Sequence, residues 1–297
     1  MLDFRRLRLL HELKQRGTIA AVASALSYSA SGVSQQLSIL EREVGVPLLE
    51  PVGRRVQLTP QGEVLAEHAW WLLARLEQAE ADVERSLDEV SGMVRIAVFQ
   101  SAAHAFIPQA LALLADSHPA IEVAITEREP EQGLFDVAAR DFDLVIAEQY
   151  PGITRPHRAE LDRVRLTADT IHLAVPTDRP DITSLAVARD LPWVLEPEGT
   201  VARQWAAQRC RAAGFEPRVR FETADLMAHV RLIRSGSAVG LIPDLLWAGE
   251  TPTLRLVALE GQPRREIFTS TRLSARDRPA VVACRLAFAS AVAELQR

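Results

Sequence analysis

Apolar positions in the first sixty residues fall at helical spacing and then give way to short alternating runs. Phe4, Leu7, Leu9, Leu10 and Leu13 predict a first helix stopped by Gly17. Thr18 is a good N-cap for a second helix, Ile19 to Leu26, whose alanines (Ala20, Ala21, Ala23, Ala25) permit close packing. Ser27, Tyr28 and Ser29 predict a tight turn. A third helix, about Ala30 to Val44, carries Val33, Leu37 and Leu40 inward, with Ser31, Ser34, Gln35, Ser38 and Arg42 on its other face. After Gly45, VPLLEPVGRRVQLT reads as two strands around Gly53. Short helices followed by a hairpin predict a winged helix-turn-helix over residues 1–59.

Thr59 and Pro60, an N-cap followed by proline at the first helical position, open a long helix. Leu65, Ala69, Leu72, Leu76, Ala79, Val83, Leu87 and Val90 keep an apolar seam along it to the end of a segment 60–91. The seam predicts a dimer contact through Leu65, Leu72, Leu76, Val83 and Leu87, with docking on the same chain as the alternative. From Met93 the pattern becomes strands alternating with helices: MVRIAVF, IEVAITE and DLVIAE are strands separated by AFIPQALALLADSHP and EQGLFDVAARD. A second block holds TIHLAV, WVLEP, RVRFET and AVGLIP as strands, and FTSTRL with a final helix returns to the first block. The expected architecture is α+β and multidomain, with two α/β lobes enclosing a cleft in 92–297. Lobe I spans 92–166 and 269–297, lobe II spans 167–268, and two strands cross between them.

The chain of 297 residues has 48% hydrophobic and 25% charged residues, an ordinary composition for roughly two domains at about 150 residues each. No apolar run approaches a membrane span and no cleavable leader is legible at the start, so a cytoplasmic protein is expected. Cys210 and Cys284 share no ligand spacing and read as small buried hydrophobes. The net charge of −5 argues against a polyanionic partner until it is divided along the chain. Residues 1–62 hold eight basic against five acidic groups, a net of +3, whereas 63–92 hold two against eight, a net of −6. Any nucleic-acid contact therefore belongs to the head.

Read as one unit, GTIAAVASALSYSASGVSQQLSILEREVGVPLLEPVGRRVQLTPQG resembles the N-terminal signature of the LysR-type transcriptional regulators. The resemblance is carried by VSQQLxxLE (Val33 to Glu41), GVPLL (Gly45 to Leu49) and LTPxG (Leu58 to Gly62), and more loosely by GMVRIA (Gly92 to Ala97) and SGSAVGLIP (Ser235 to Pro243). It implies a two-lobed, periplasmic-binding-protein-like effector domain. It also implies a homodimer that assembles into a homotetramer, an inverted-repeat operator in double-stranded DNA, contact with RNA polymerase, and a small-molecule effector in place of any fixed cofactor. Two departures stand out. The family's usual aromatic and arginine are replaced by Leu49, Glu50 and Pro51, and an arginine common at the Gln35 position is absent.

A recognition helix of this length fits the major groove, and its N-terminus favours phosphate. Ser29, Ser31 and Ser34 suit backbone or mixed contacts. Gln35 and Gln36 suit base reading, because an amide donates and accepts together on adenine. Arg54 and Arg55 at the wing can reach the minor groove or straddle phosphates. In the cleft, strand-to-helix turns at the C-terminal sheet edge offer Ser101, Arg128, Glu148, Thr200 and Thr223. If Arg128 and Glu148 both face it, the effector is zwitterionic, an amino acid for instance. The rival classes are an α/β enzyme, or a solute sensor, with an accessory helical dimerisation domain. Against the enzyme, no GxSxG, GxxxxGK[ST], strand-linked GxGxxG or HExxH motif is present, and His11, His68, His104, His118, His157, His172 and His229 show no metal-ligand spacing.

Overall fold

A computed structural model describes residues 2–53, 55–155 and 158–295. Two units separate by contact density, one reaching Asp88 and the other beginning at Glu89, with 139–141 counted in the first.

In the first unit each predicted helix has its predicted start. The Asp3 carboxylate accepts from the backbone N–H groups of Arg5 and Arg6 to open α1 (Phe4–Arg16). Thr18 opens α2 (Ile19–Leu26) and Ser29 opens α3 (Ala30–Val44), each with its hydroxyl on a first-turn N–H. Gly17 and Gly45 close α1 and α3 in the left-handed region. Leu7, Leu10, Leu13, Val22, Val33, Leu37, Leu40 and Leu48 form one core beneath the three helices. The wing is a regular hairpin despite the departures at Leu49 to Pro51: β1 (Leu49–Val52) pairs antiparallel with β2 (Arg55–Leu58). Its entry is fixed by Glu41, whose carboxylate accepts from the N–H groups of Leu48 and Leu49 at 2.9 and 3.1 Å.

The long helix α4 runs Pro60–Glu84, shorter than the apolar spacing predicted. The Ser86 hydroxyl donates back to the Val83 carbonyl at 2.7 Å and the chain turns. Leu87 therefore lies beyond the helix, and Val90 packs against the core of the second unit. Leu65 is also removed from the expected seam, because it packs against the head core. Leu72, Leu76 and Val83 are exposed, joined by Trp71, while Ala66, Ala69 and Leu73 form the helix's buried stripe.

The second unit holds β3 (Gly92–Val98), β4 (Ile121–Glu127) and β5 (Leu144–Gln149) in parallel, as the alternation predicts, joined by α5 (Gln100–Ala105), α6 (Ile107–Ser117) and α7 (Pro130–Ala138). The rest is mixed rather than parallel. The long strand β6 (Val164–Val175) pairs antiparallel with β11 (Arg264–Ser270) along its first half, and with β9 (Gly240–Pro243) and β10 (Arg255–Ala258) along its second. β11 also pairs with β5. A seven-stranded path therefore passes through both lobes, and β6 and β11 are the two expected crossing strands. Lobe II adds β7 (Pro192–Leu195), β8 (Arg218–Glu222), α8 (Val201–Ala212) and α9 (Leu226–Arg234). The final helix α10 (Pro279–Leu295) returns to lobe I, burying Phe288 against Phe106. No described helix is long and apolar enough to cross a membrane.

Candidate functional site

In the head, the sequence pattern and the tertiary packing agree on one exposed polar face. Val33, Leu37 and Leu40 are anchored in the core, which turns Ser31, Ser34, Gln35 and Arg42 outward. Ser29 and Ser31 share a 3.2 Å hydroxyl contact at the helix start, beside free first-turn N–H groups. Gln36 differs from its neighbour: its amide oxygen accepts from the Arg6 guanidinium at 3.1 Å, so α1 holds it and only Gln35 is unengaged for base reading. Arg55 is exposed at the start of β2, while Arg54 lies outside the described residues. Tyr28, in the turn before the helix, is exposed.

The effector cleft is built around a residue that sequence reasoning missed. Arg265 stands on β11 directly across from Asp169 on β6, in register, and its Nε donates to that carboxylate at 2.7 Å. Its Nη1 donates to Glu148 and its Nη2 to the Ser101 hydroxyl at 2.7 Å. Phe99 lies 5.2 Å beneath the guanidinium. All four polar members are buried. Burial works against the charge on Arg265, but Asp169 and Glu148 more than offset it and hold its pKa well above the usual range. Burial is the larger influence on Glu148, whose carboxyl is raised although Arg265 opposes the shift. Ser101 and Glu148 are thus brought together as members of a buried network, of which Arg265 alone lines the cavity.

Beyond Arg265 the floor is lined by Tyr150, Glu196, Trp205, His229 and Leu241, enclosing about 30 Å³. That is room for about one water molecule. Across its mouth, the Gln100 side chain of lobe I accepts from the Leu226 N–H of lobe II at 2.7 Å and donates to Asp225 at 3.4 Å. Burial, reinforced by the negative charges of Glu148 and Glu129, lifts Glu196 to about 8.

Three expected cleft residues do other work. Arg128 does not join Glu148: β4 is the outer strand, and the guanidinium turns to Asp136 at 3.4 Å and over Phe142. The zwitterion argument built on that pair fails with it. Thr200 caps α8, accepting from the Arg203 N–H and donating to the Pro197 carbonyl. The Thr223 hydroxyl accepts from the Asp225 N–H, although its carbonyl receives His229. Arg265, Glu196 and Trp205 gave no local signal, since each stands in a segment that reads as an ordinary strand or helix.

Two family models cover the chain. Residues 4–63 match the bacterial regulatory helix-turn-helix protein, lysR family, and residues 87–293 match the LysR substrate binding domain. Among curated proteins, the transcriptional dual regulator GltC of Bacillus subtilis is 29% identical over 255 residues, covering 84% of each chain. A probable hydrogen peroxide-inducible genes activator of Mycobacterium avium is 29% identical over 80% of this chain and 76% of its own. Among solved structures, a full-length OxyR variant from Pseudomonas aeruginosa superposes with a TM-score of 0.67 at 19% identity, covering 97% of this chain and 95% of that one. Full-length CbnR complexed with its target DNA gives 0.53 at 21%, covering 97% and 99%.

Proposed function

Because the chain belongs to the LysR family, and is a transcription regulator rather than an enzyme, we propose that it places paired heads on an inverted-repeat operator and alters that placement when a small molecule opens the cleft around Arg265. The observation that carries this reading is the exposed face of α3, where Ser31, Ser34 and Gln35 stand clear of every intramolecular partner but one hydroxyl contact. Ser29, Ser31 and Ser34 contact phosphate or mixed positions, Gln35 reads a base, and Arg54 and Arg55 grip the flanking groove.

A net charge of +3 is a weak footprint for one head, so binding rests on two or four heads acting together. Leu72, Leu76 and Val83, with Trp71, form the dimer seam, and dimers pair into a tetramer that bends the operator and touches RNA polymerase in the cytoplasm. The effector needs only to favour one arrangement of this assembly over the other.

A gel shift with the DNA upstream of the gene tests the reading. The protein retards that DNA, and Gln35→Ala together with Ser34→Ala weakens binding without lowering the melting temperature. Equal retardation of unrelated DNA by the parent and the double variant refutes it.

A further inference from the structure

We infer that the effector domain holds a second ligand site, a pocket on lobe I that takes a small organic carboxylate, its charge towards Arg155 and its apolar body against Phe268. This goes beyond the effector cleft, because the pocket and the cleft share no lining residue. The pocket lies on the face of the sheet that α7 covers, where Leu134, Leu161 and Phe268 pack together. Its volume is about 380 Å³ against about 30 Å³ in the cleft, which puts it in the range of small-molecule sites.

Two buried arginines of this domain stand in opposite conditions. Arg265 spends its guanidinium on Asp169, Glu148 and Ser101. Arg155, whose side chain is only 10% exposed, lines the pocket, and none of its Nε, Nη1 and Nη2 has a hydrogen-bond partner among the described residues. Glu131 comes within 3.1 Å of Nη2, but at an angle that makes no hydrogen bond, and its own side chain is about half exposed. That contact does not offset burial, which holds the Arg155 pKa below the usual range, the reverse of Arg265. A buried cation so poorly matched is costly, and an anion brought beside it relieves the cost.

Two further arginines line the same pocket and are partly exposed. Arg163 lies over the Phe268 ring at 3.9 Å with its Nη2 on Glu266 at 2.7 Å, and Arg158 lies over Phe135 with its Nη1 3.6 Å from Glu160. Those carboxylates, like that of Glu131, stand outside the lining, so the guanidinium groups are what the pocket presents. Asp162 is the one acid among the described lining residues, and Arg285 takes both its oxygens at 2.6 and 2.7 Å. An entering carboxylate therefore meets Arg158 and Arg163 first and the stranded charge of Arg155 behind them, with no free carboxylate to repel it. Leu134, Ile153, Leu161 and Phe268 receive an apolar body, which inorganic phosphate lacks.

Calorimetry on the full-length protein with hydrocinnamate and with hexanoate tests this, with hydrocinnamyl alcohol, phenethylamine and inorganic phosphate as neutral, cationic and purely ionic comparators. Both carboxylates bind at millimolar concentration or below, phosphate binds about tenfold more weakly or worse, and the alcohol and the amine do not bind. Arg155→Met and, separately, Arg158→Gln reduce carboxylate affinity about tenfold or more. Arg155→Met also melts no lower than the parent, because it removes a stranded charge and keeps the volume of the stem. Arg158→Gln, at the exposed rim, keeps the binding test open whatever the buried variant does to folding. Silence from both carboxylates overturns the site, as does carboxylate binding that both variants leave untouched. Phosphate binding as tightly as hydrocinnamate, or the alcohol doing so, overturns the carboxylate assignment. A melt several degrees below the parent for Arg155→Met makes Arg155 a structural partner of Glu131 and overturns the site with it.

Discussion

Replacing Arg265 by methionine removes a charge and keeps the volume of the stem. Glu148 and Asp169, both buried, lose their partner, and Ser101 loses a donor at 2.7 Å. Stranding a buried carboxylate by deleting its partner costs about 3–5 kcal/mol. For a unit of this size about 2–4 °C is lost per kcal/mol, so the effector domain melts about 6–20 °C lower. The sign of the pH effect is fixed by the same groups. Glu148 already has a raised pKa because it is buried, and loss of the guanidinium raises it further. The native variant then binds protons more tightly than the unfolded chain, so its deficit is largest above neutrality and shrinks towards the carboxyl range. Calorimetric melts across that range measure it, and adding Glu148→Gln recovers part of the loss. A variant that melts within about a degree of the parent refutes the claim that this network stabilises the effector domain. A loss independent of pH refutes its electrostatic origin.

Other expectations follow from the same geometry. A Cβ added at Gly62 would meet the Leu48 carbonyl oxygen at 2.1 Å, so Gly62→Ala forces α4 off the wing and costs the head about 1–3 kcal/mol, seen as faster hydrogen exchange in α1. Leu76→Glu puts charge on the exposed seam and shifts sedimentation towards monomer, with DNA affinity falling as the second head is lost. Burial lowers His11 to about 4, so the native head holds it neutral; stability is intact above its unfolded value near 6.5, falls as pH drops towards 4, and His11→Phe flattens that limb. Glu196 is raised to about 8, so its contribution is present in acid and is lost as pH climbs from the carboxyl range to about 8; Glu196→Gln melts removes that slope.

The head was legible because its signals are local. Thr18, Ser29 and Thr59 cap the helices they precede, and Gly17 and Gly45 end the ones they follow. The α4 seam was overread because Leu87 and Val90 continue the helical spacing, whereas a Ser86 back-bond and the pull of the lobe I core on Val90 end the helix at Glu84. The cleft was half legible. Strand ends drew attention to Ser101 and Glu148, but what joins them is Arg265, whose partners lie 96, 117 and 164 residues away in sequence. In the run QPRREIF it reads as edge-strand charge, and only the pairing of β11 between β5 and β6 buries it. Arg128 looked better placed because it follows a strand directly, but the outer position of that strand was not written in its composition.

The junction of wing and helix α4 has a consequence for anyone exchanging parts between regulators. Thr59 donates through its hydroxyl to the Pro47 carbonyl and through its N–H to that of Leu48, and Gly62 lets the first turn of α4 press on that same peptide. A cut at 59/60, where the pattern of hydrophobic positions draws the domain border, runs through a welded corner. The border between the two units falls instead at 88/89, with 139–141 counted in the first. The piece to exchange is therefore head and helix together, so that the wing keeps the angle at which α4 leaves it.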